Sequence, residues 1–248
     1  MTIRTLSNEF IRREVDEIAR DHDVAMRLQS EALTRMVETD ELSADERDDL
    51  VTGGLGRRRL LTFGAMAVAT STVFAACGHS SRTATPTTSA TSPTTAAAGS
   101  STDSVAADIT ALRTASSLEV LAVQTYQKAM ATGLVTTAVV ASAAKSFMEQ
   151  HQQHAAAFEA ATTKAGGQPY DQPNPVVNQQ MVAPKLAALK TESDVVNLAY
   201  LLESAAAQTY QSAIGVVSKP AYNSALASVL GVESRHQALL GLVLNTTS

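Results

Sequence analysis

The chain of 248 residues contains no tryptophan, five phenylalanines, five tyrosines and a single cysteine. With aromatics at 4%, it lacks the stacking platforms that hold single-stranded nucleic acid. One cysteine excludes an internal disulfide framework and any cysteine-rich metal site. An excess of basic residues is also missing: 19 Lys and Arg face 24 Asp and Glu, for a net charge of -5. Without clustered cations a nucleic-acid partner is not expected. The apolar run over residues 60–76 is interrupted by Thr62, Gly64, Thr70, Ser71 and Thr72. It is short for a membrane span, which needs about 20 strongly apolar residues.

What charge there is lies unevenly. Residues 1–76 hold 10 of the basic and 14 of the acidic groups, leaving 9 and 10 for the rest. Four segments follow: a charged extension (1–56), a signal-like segment (57–77), a Ser/Thr/Pro-rich linker (78–103) and a helical domain (104–248). The extension has helical spacing over 10–20 and 25–37 but shows no chemical constellation, and it is assigned no function. It is expected to be a cytoplasmic segment lost on processing, or else to lie before a true start further on, for instance at Met36. In the second segment, Arg57, Arg58 and Arg59 precede Leu60, Leu61 and the weak apolar run, which ends in Phe74, Ala75, Ala76 and Cys77. The basic-then-apolar order reads as a signal peptide. The paired arginines resemble a twin-arginine export signal, and the small residues before Cys77 resemble a lipobox, with Phe74 where lipoproteins usually carry Leu. That resemblance implies lipidation at Cys77 and a chain tethered to the outer face of the cytoplasmic membrane, in the cell envelope. Residues 80–103 include 14 Ser or Thr among 24, with Pro86 and Pro93, a composition that forms a flexible tether and buries no core.

The remaining unit is rich in helix formers. Periodicity predicts four long helices at about 105–133, 136–165, 192–217 and 220–244. Gly133 stops the first, Gly166 and Gly167 stop the second, and Pro220 fits the first turn of the fourth. Pro169, Pro173, Pro175 and Pro184 prevent a continuous helix between the second and third. Two short connections and one long one define an all-α four-helix bundle with a single crossover.

An internal repeat divides the unit into two hairpins. Residues 119–127 read EVLAVQTYQ and residues 203–211 read ESAAAQTYQ, so Glu119, Gln124, Thr125, Tyr126 and Gln127 recur 84 residues on. Each copy precedes a helix with histidine: His151 and His154 in the first half, Glu233 and His236 in the second. If the hairpins turn near 134–135 and 218–219, Glu119, His151, Glu203 and Glu233 each stand about 15 residues from a turn. At about 1.5 Å per residue they share one height. Residues three apart share a helical face, so His151 with His154, and Glu233 with His236, can aim at one spot. Three carboxylates buried without a counter-charge would each cost on the order of several kcal/mol, and a bound cation removes that cost. A metal-free polar core and a solvated surface cluster are the competing readings.

These residues resemble the ferritin-like superfamily, whose members house a di-iron or related di-metal carboxylate site. The resemblance covers residues 104–248 and is nearest to bacterial secreted ferritin-like proteins. It implies Glu119 and Glu203 as terminal ligands, Glu233 as a bridging carboxylate, and His154 and His236 as terminal imidazoles. On the second helix the family's Glu-x-x-His is replaced by His151-x-x-His154, and Glu149 points about 200° away from His151. Four carboxylates neutralise two divalent ions; three leave a positive excess. A bridging oxide or hydroxide, a single ion, or zinc or manganese in place of iron all fit the altered set. Tyr126 and Tyr210 lie seven residues beyond their glutamates on the same face, either as hydrogen-bonding or redox neighbours of the metal or as a repeated core layer. Three functions stay open: a redox protein oxidising ferrous iron or consuming peroxide, a metal-binding or storage module without turnover, and a partner-binding lipoprotein without catalysis. A homo-oligomer is compatible with each, although a tethered chain disfavours a closed shell. No catalytic residue is assigned.

Overall fold

A computed structural model describes residues 7–40 and 101–247. The signal-like segment 57–77 with Cys77, and the linker up to residue 100, lie outside the described residues. Within them the regular structure is helical throughout. Five long helices form: α1 (Asn8–Asp40), α2 (Ser101–Ala131), α3 (Ala138–Lys164), α4 (Glu192–Ile214) and α5 (Pro220–Thr247).

The helix ends follow from particular residues. Gly133 takes a φ of 72° and Gly166 one of 83°, the left-handed region in which a side chain is strained. After α3 the Gly166 N–H donates to Thr163 O and the Gly167 N–H to Thr162 O, each at 2.9 Å, a Schellman close. The start of α3 falls at Ala138 rather than 136 because the N–H groups of Thr136 and Thr137 donate to the Glu192 carboxylate at 2.6 and 2.8 Å. An acid from the second hairpin thereby caps the first. Thr191 and Asp194 form a capping box on α4. At the opposite end, buried Asp108 accepts from the Ser218 N–H and hydroxyl, both at 2.6 Å, tying α2 to the turn between α4 and α5.

The crossover departs from a bare loop. Helical turns run over Pro175–Val177 and Ala183–Ala187, with a π-turn over Asn178–Val182 between them. Here proline starts helix instead of breaking it. Pro175 occupies the first turn, where no N–H is needed, and the Asn174 side chain accepts from the Val177 N–H. Val182 packs with Leu121, Ala122 and Leu202, so the crossover closes the groove between α2 and α4.

Two apolar layers fill the bundle. One joins Leu112, Leu118, Phe158, Tyr210, Leu226 and Val229; the other joins Tyr126, Phe147, Val196, Val232 and Leu239. The early part of α2 shares its layer with the late part of α4, so these helices are antiparallel, while α3 and α4 run parallel, as a single crossover requires. Between the layers lies a polar stratum.

The helix α1 belongs to the same compact unit. Its buried positions recur at Ile11, Val15, Ile18, His22, Gln29 and Leu33, in steps of three, four or seven that make one stripe. Ile11, Val15 and Ile18 enter the layer with Phe147 and Val232, and Leu33 enters the other. Lys164 of α3 donates to Leu33 O at 3.3 Å. Arg235 of α5 pairs with Glu17 at 3.1 Å and also with Asp21. Thus α1 lies along α3 and α5, opposite the crossover.

Candidate metal centre

The polar stratum gathers all six residues singled out by spacing. Glu119 comes from α2, His151 and His154 from α3, Glu203 from α4, and Glu233 and His236 from α5; each is buried. Two four-residue sets form, Glu119–His151–His154–Glu233 and His151–Glu203–Glu233–His236, and in each the ligating atoms lie within 4.8 Å of one another. His151 and Glu233 belong to both. A rough two-fold relation, inherited from the hairpin repeat, exchanges Glu119 with Glu203 and His154 with His236.

His151 sits between two carboxylates. Its Nδ1 is 2.7 Å from Glu119 Oε2 and its Nε2 is 3.2 Å from Glu203 Oε1. His154 Nδ1 lies 2.9 Å from Glu233 Oε1 and 3.5 Å from Glu119 Oε2, and His236 Nδ1 is 3.4 Å from Glu203 Oε2. Despite these short separations, the Nδ1 atoms of His154 and His236, both oxygens of Glu233 and Oε2 of Glu203 have no hydrogen-bond partner. The donor atoms are close but not aligned on each other. Buried polar atoms left unpaired cost about 1–3 kcal/mol each. Lone pairs that converge on shared points without satisfying one another are what a coordinated cation requires, so these residues fit a metal.

Surrounding groups hold the ligands. The Tyr126 hydroxyl donates to Glu203 Oε1 at 2.6 Å, and the Tyr210 hydroxyl donates to Glu119 Oε1. Each tyrosine therefore reaches the glutamate of the other hairpin while also filling an apolar layer. Gln150 Oε1 accepts from His236 Nε2 at 2.6 Å, which sets Nδ1 as the inward lone pair, and Phe147 stacks on His236 with centroids 3.8 Å apart. Glu149 is exposed.

The electrostatics are those of a crowded anionic site. Burial pushes the Glu233 carboxyl well above its ordinary value, and the charges of Glu119 and Glu203 push it further. Burial also works against ionised Glu203 and Glu119. For Glu203 the charge of His151, joined by that of His236, outweighs it, and the carboxyl falls well below its usual range. For Glu119 the positive side of His154 and the hydrogen bond from His151 bring the pKa to about 2. His151 is raised to about 10: burial opposes its charge, but Glu203 and Glu119 dominate. Burial lowers His236 against the pull of Glu203, and raises Tyr126 and Tyr210 well above 10, aided by the adjacent carboxylates. Without metal, then, His151 carries a proton that stands in for a cation.

Spacing alone missed two participants. Gln150 precedes His154 by four residues on the same face, a helical signal that could have found it. The second is His22 of α1, 1% exposed, its ring centroid 5.0 Å from that of His154. Its signal was the heptad-spaced stripe of α1 passing through a histidine.

A crossed four-helix bundle with a buried carboxylate–imidazole cluster defines a class of helical metal-site proteins. Residues 107–246 match the family described as the ferritin-like domain, and the chain belongs to that family. No curated relative and no solved structure matches the chain.

Proposed function

We propose that this protein binds transition-metal ions in the bundle core, with iron as the physiological metal, and that it works as a redox protein at the cell envelope. The observation that carries the reading is the set of buried, unpaired donor atoms of His154, His236, Glu203 and Glu233 directed at common points. Glu119 and His154 would hold one ion, Glu203 and His236 a second, with Glu233 offering one oxygen to each. A neutral imidazole has one lone pair, so His151 would serve one ion only. Bound iron would supply one-electron chemistry, passing electrons from ferrous iron to dioxygen or peroxide. The chain's own contribution is positional. Tyr126 and Tyr210 fix the terminal carboxylates, Gln150 and Phe147 fix His236, and the apolar layers above and below exclude water. Manganese or zinc would suit the same ligands and would give binding without turnover.

The test is elemental analysis of the full-length chain beside the Glu233→Ala/His236→Ala double variant. The wild type should carry iron and the variant should lose metal; a variant with its full complement would show the ligands to be elsewhere. Rapid mixing of ferrous-loaded protein with oxygen or peroxide then separates turnover from storage, since a storage module gives no fast consumption. Export and lipid anchoring at Cys77 rest on the arginine–apolar–cysteine order of residues 57–77. They predict a mature chain that begins at an acylated Cys77 and partitions with membranes, readable by mass spectrometry. An unmodified Cys77 within an uncut chain would overturn them.

A further inference from the structure

One side of the metal centre is built by a helix outside the bundle. The crossover seals α2 against α4, but α3 and α5 approach each other over little of their length, and these helices carry His154 and His236. The helix α1 fills that groove with its buried stripe, and Arg235, next to His236, is anchored to Glu17 and Asp21 of α1.

At the level of the site, α1 presents His22. Two facts about nitrogen make this more than packing. His154 turns Nδ1 toward Glu119 and Glu233; to offer a lone pair there, it must carry its proton on Nε2. That Nε2 is buried and has no hydrogen-bond partner. His22 Nε2 is likewise buried and unpartnered, while its Nδ1 lies 3.7 Å from Asp23. The two rings are tilted by 46° with centroids 5.0 Å apart, close enough for an N–H···N hydrogen bond once the two Nε2 edges turn to face each other. On the other half of the centre, His236 has its outward nitrogen held by Gln150 at 2.6 Å. His154 finds no such partner within the four bundle helices.

We propose that His22 is a positioning residue of the metal centre, engaging the Nε2 edge of His154 so that its Nδ1 lone pair faces the ions. The inference rests on the metal-binding reading above and assigns α1 a place at the centre in the uncut chain, before any processing ahead of Cys77. Partners of this outer kind set tautomer and ring orientation, and their loss weakens metal affinity by about 10–100-fold.

Cobalt(II) titration of the full chain, followed by its visible absorption bands, tests the assignment. Wild type, H22L and H22Q are compared, the leucine keeping apolar volume and the glutamine keeping an acceptor. H22L should weaken cobalt binding by about tenfold or more and shift the bands, with thermal unfolding still cooperative, and H22Q should recover most of the affinity. Equal affinity and spectra in wild type and H22L would overturn the role of His22 while leaving the metal centre intact, as would equal losses in H22L and H22Q. A wild type that binds no cobalt overturns both readings. Should H22L not fold, long-range 1H–15N correlation on the zinc-loaded wild type decides: His154 should appear protonated at Nε2, with that proton hydrogen-bonded, and a free or absent Nε2 proton overturns the proposal.

Discussion

At the scale of single residues, the distinctive choice is histidine at position 151. It gives the metal-free centre a built-in positive charge: raised to about 10 by its two carboxylates, the ring stays protonated at neutral pH, while burial and the charges of Glu119 and Glu203 push the Glu233 carboxyl toward its neutral form. A metal ligand must shed its proton. Metal uptake at pH 7 should therefore release a proton from His151, measurable by calorimetry in buffers of different ionisation enthalpy. Apparent affinity should rise with pH; release of no proton would contradict the assigned protonation. His151→Glu would restore the Glu-x-x-His order on α3 and supply a fourth carboxylate, which balances two divalent ions. The variant should retain two ferrous ions per chain more tightly than wild type, as read by equilibrium dialysis.

At the scale of elements, α1 and the turn-binding Asp108 carry separate loads. His22 is held neutral, its pKa lowered to about 4, chiefly by burial and then by the charge of His154. The unfolded chain binds this proton near pH 6.5 and the folded chain only near 4. Stability from His22 is thus complete above about pH 6.5 and is lost as pH falls toward 4, by up to about 3 kcal/mol. Denaturant titrations of the metal-free chain should show this loss, and H22Q should flatten it. Asp108, by contrast, touches no ligand. Asp108→Ala leaves the Ser218 N–H and hydroxyl unpaired and should cost about 1–3 kcal/mol with metal stoichiometry unchanged, checked by denaturant unfolding alongside elemental analysis.

For the whole molecule, loading a site assembled from four helices is linked to folding. Metal at about 100 times its Kd stabilises the native state by about 2.7 kcal/mol, which for a chain of this size raises Tm by about 5–10 °C. A chelator should reverse the shift in differential scanning. The position of α1 adds a second consequence. Processing ahead of Cys77 would sever α1 from the bundle, leaving it held only by its stripe, Arg235 and Lys164. Protease cleavage engineered between residues 41 and 99 should speed metal loss to chelator several-fold relative to the uncut chain. An unchanged rate would mean that α1 stays seated or does not wall the site.

Legibility in the sequence differed by feature. Glu119 and Glu203, 84 residues apart in matching nonapeptides, and His151, His154, Glu233 and His236 at helical spacing could be placed at one height by counting from the turns, because helix rise is constant. The crossover and the bundle followed from the same regularity, with glycine and proline as punctuation. The helical turns at Pro175 and Pro184 did not, since a proline reads as a breaker until Asn174 is seen to cap the turn it starts. Which oxygen meets which ring, and that each tyrosine holds the opposite hairpin's glutamate, depended on helix rotation, which periodicity leaves free by tens of degrees. His22 lies more than a hundred residues before its neighbour His154. Local patterning determined the helices and the level of the cluster; only the tertiary fold, by seating α1 in the groove between α3 and α5, decided what closes it.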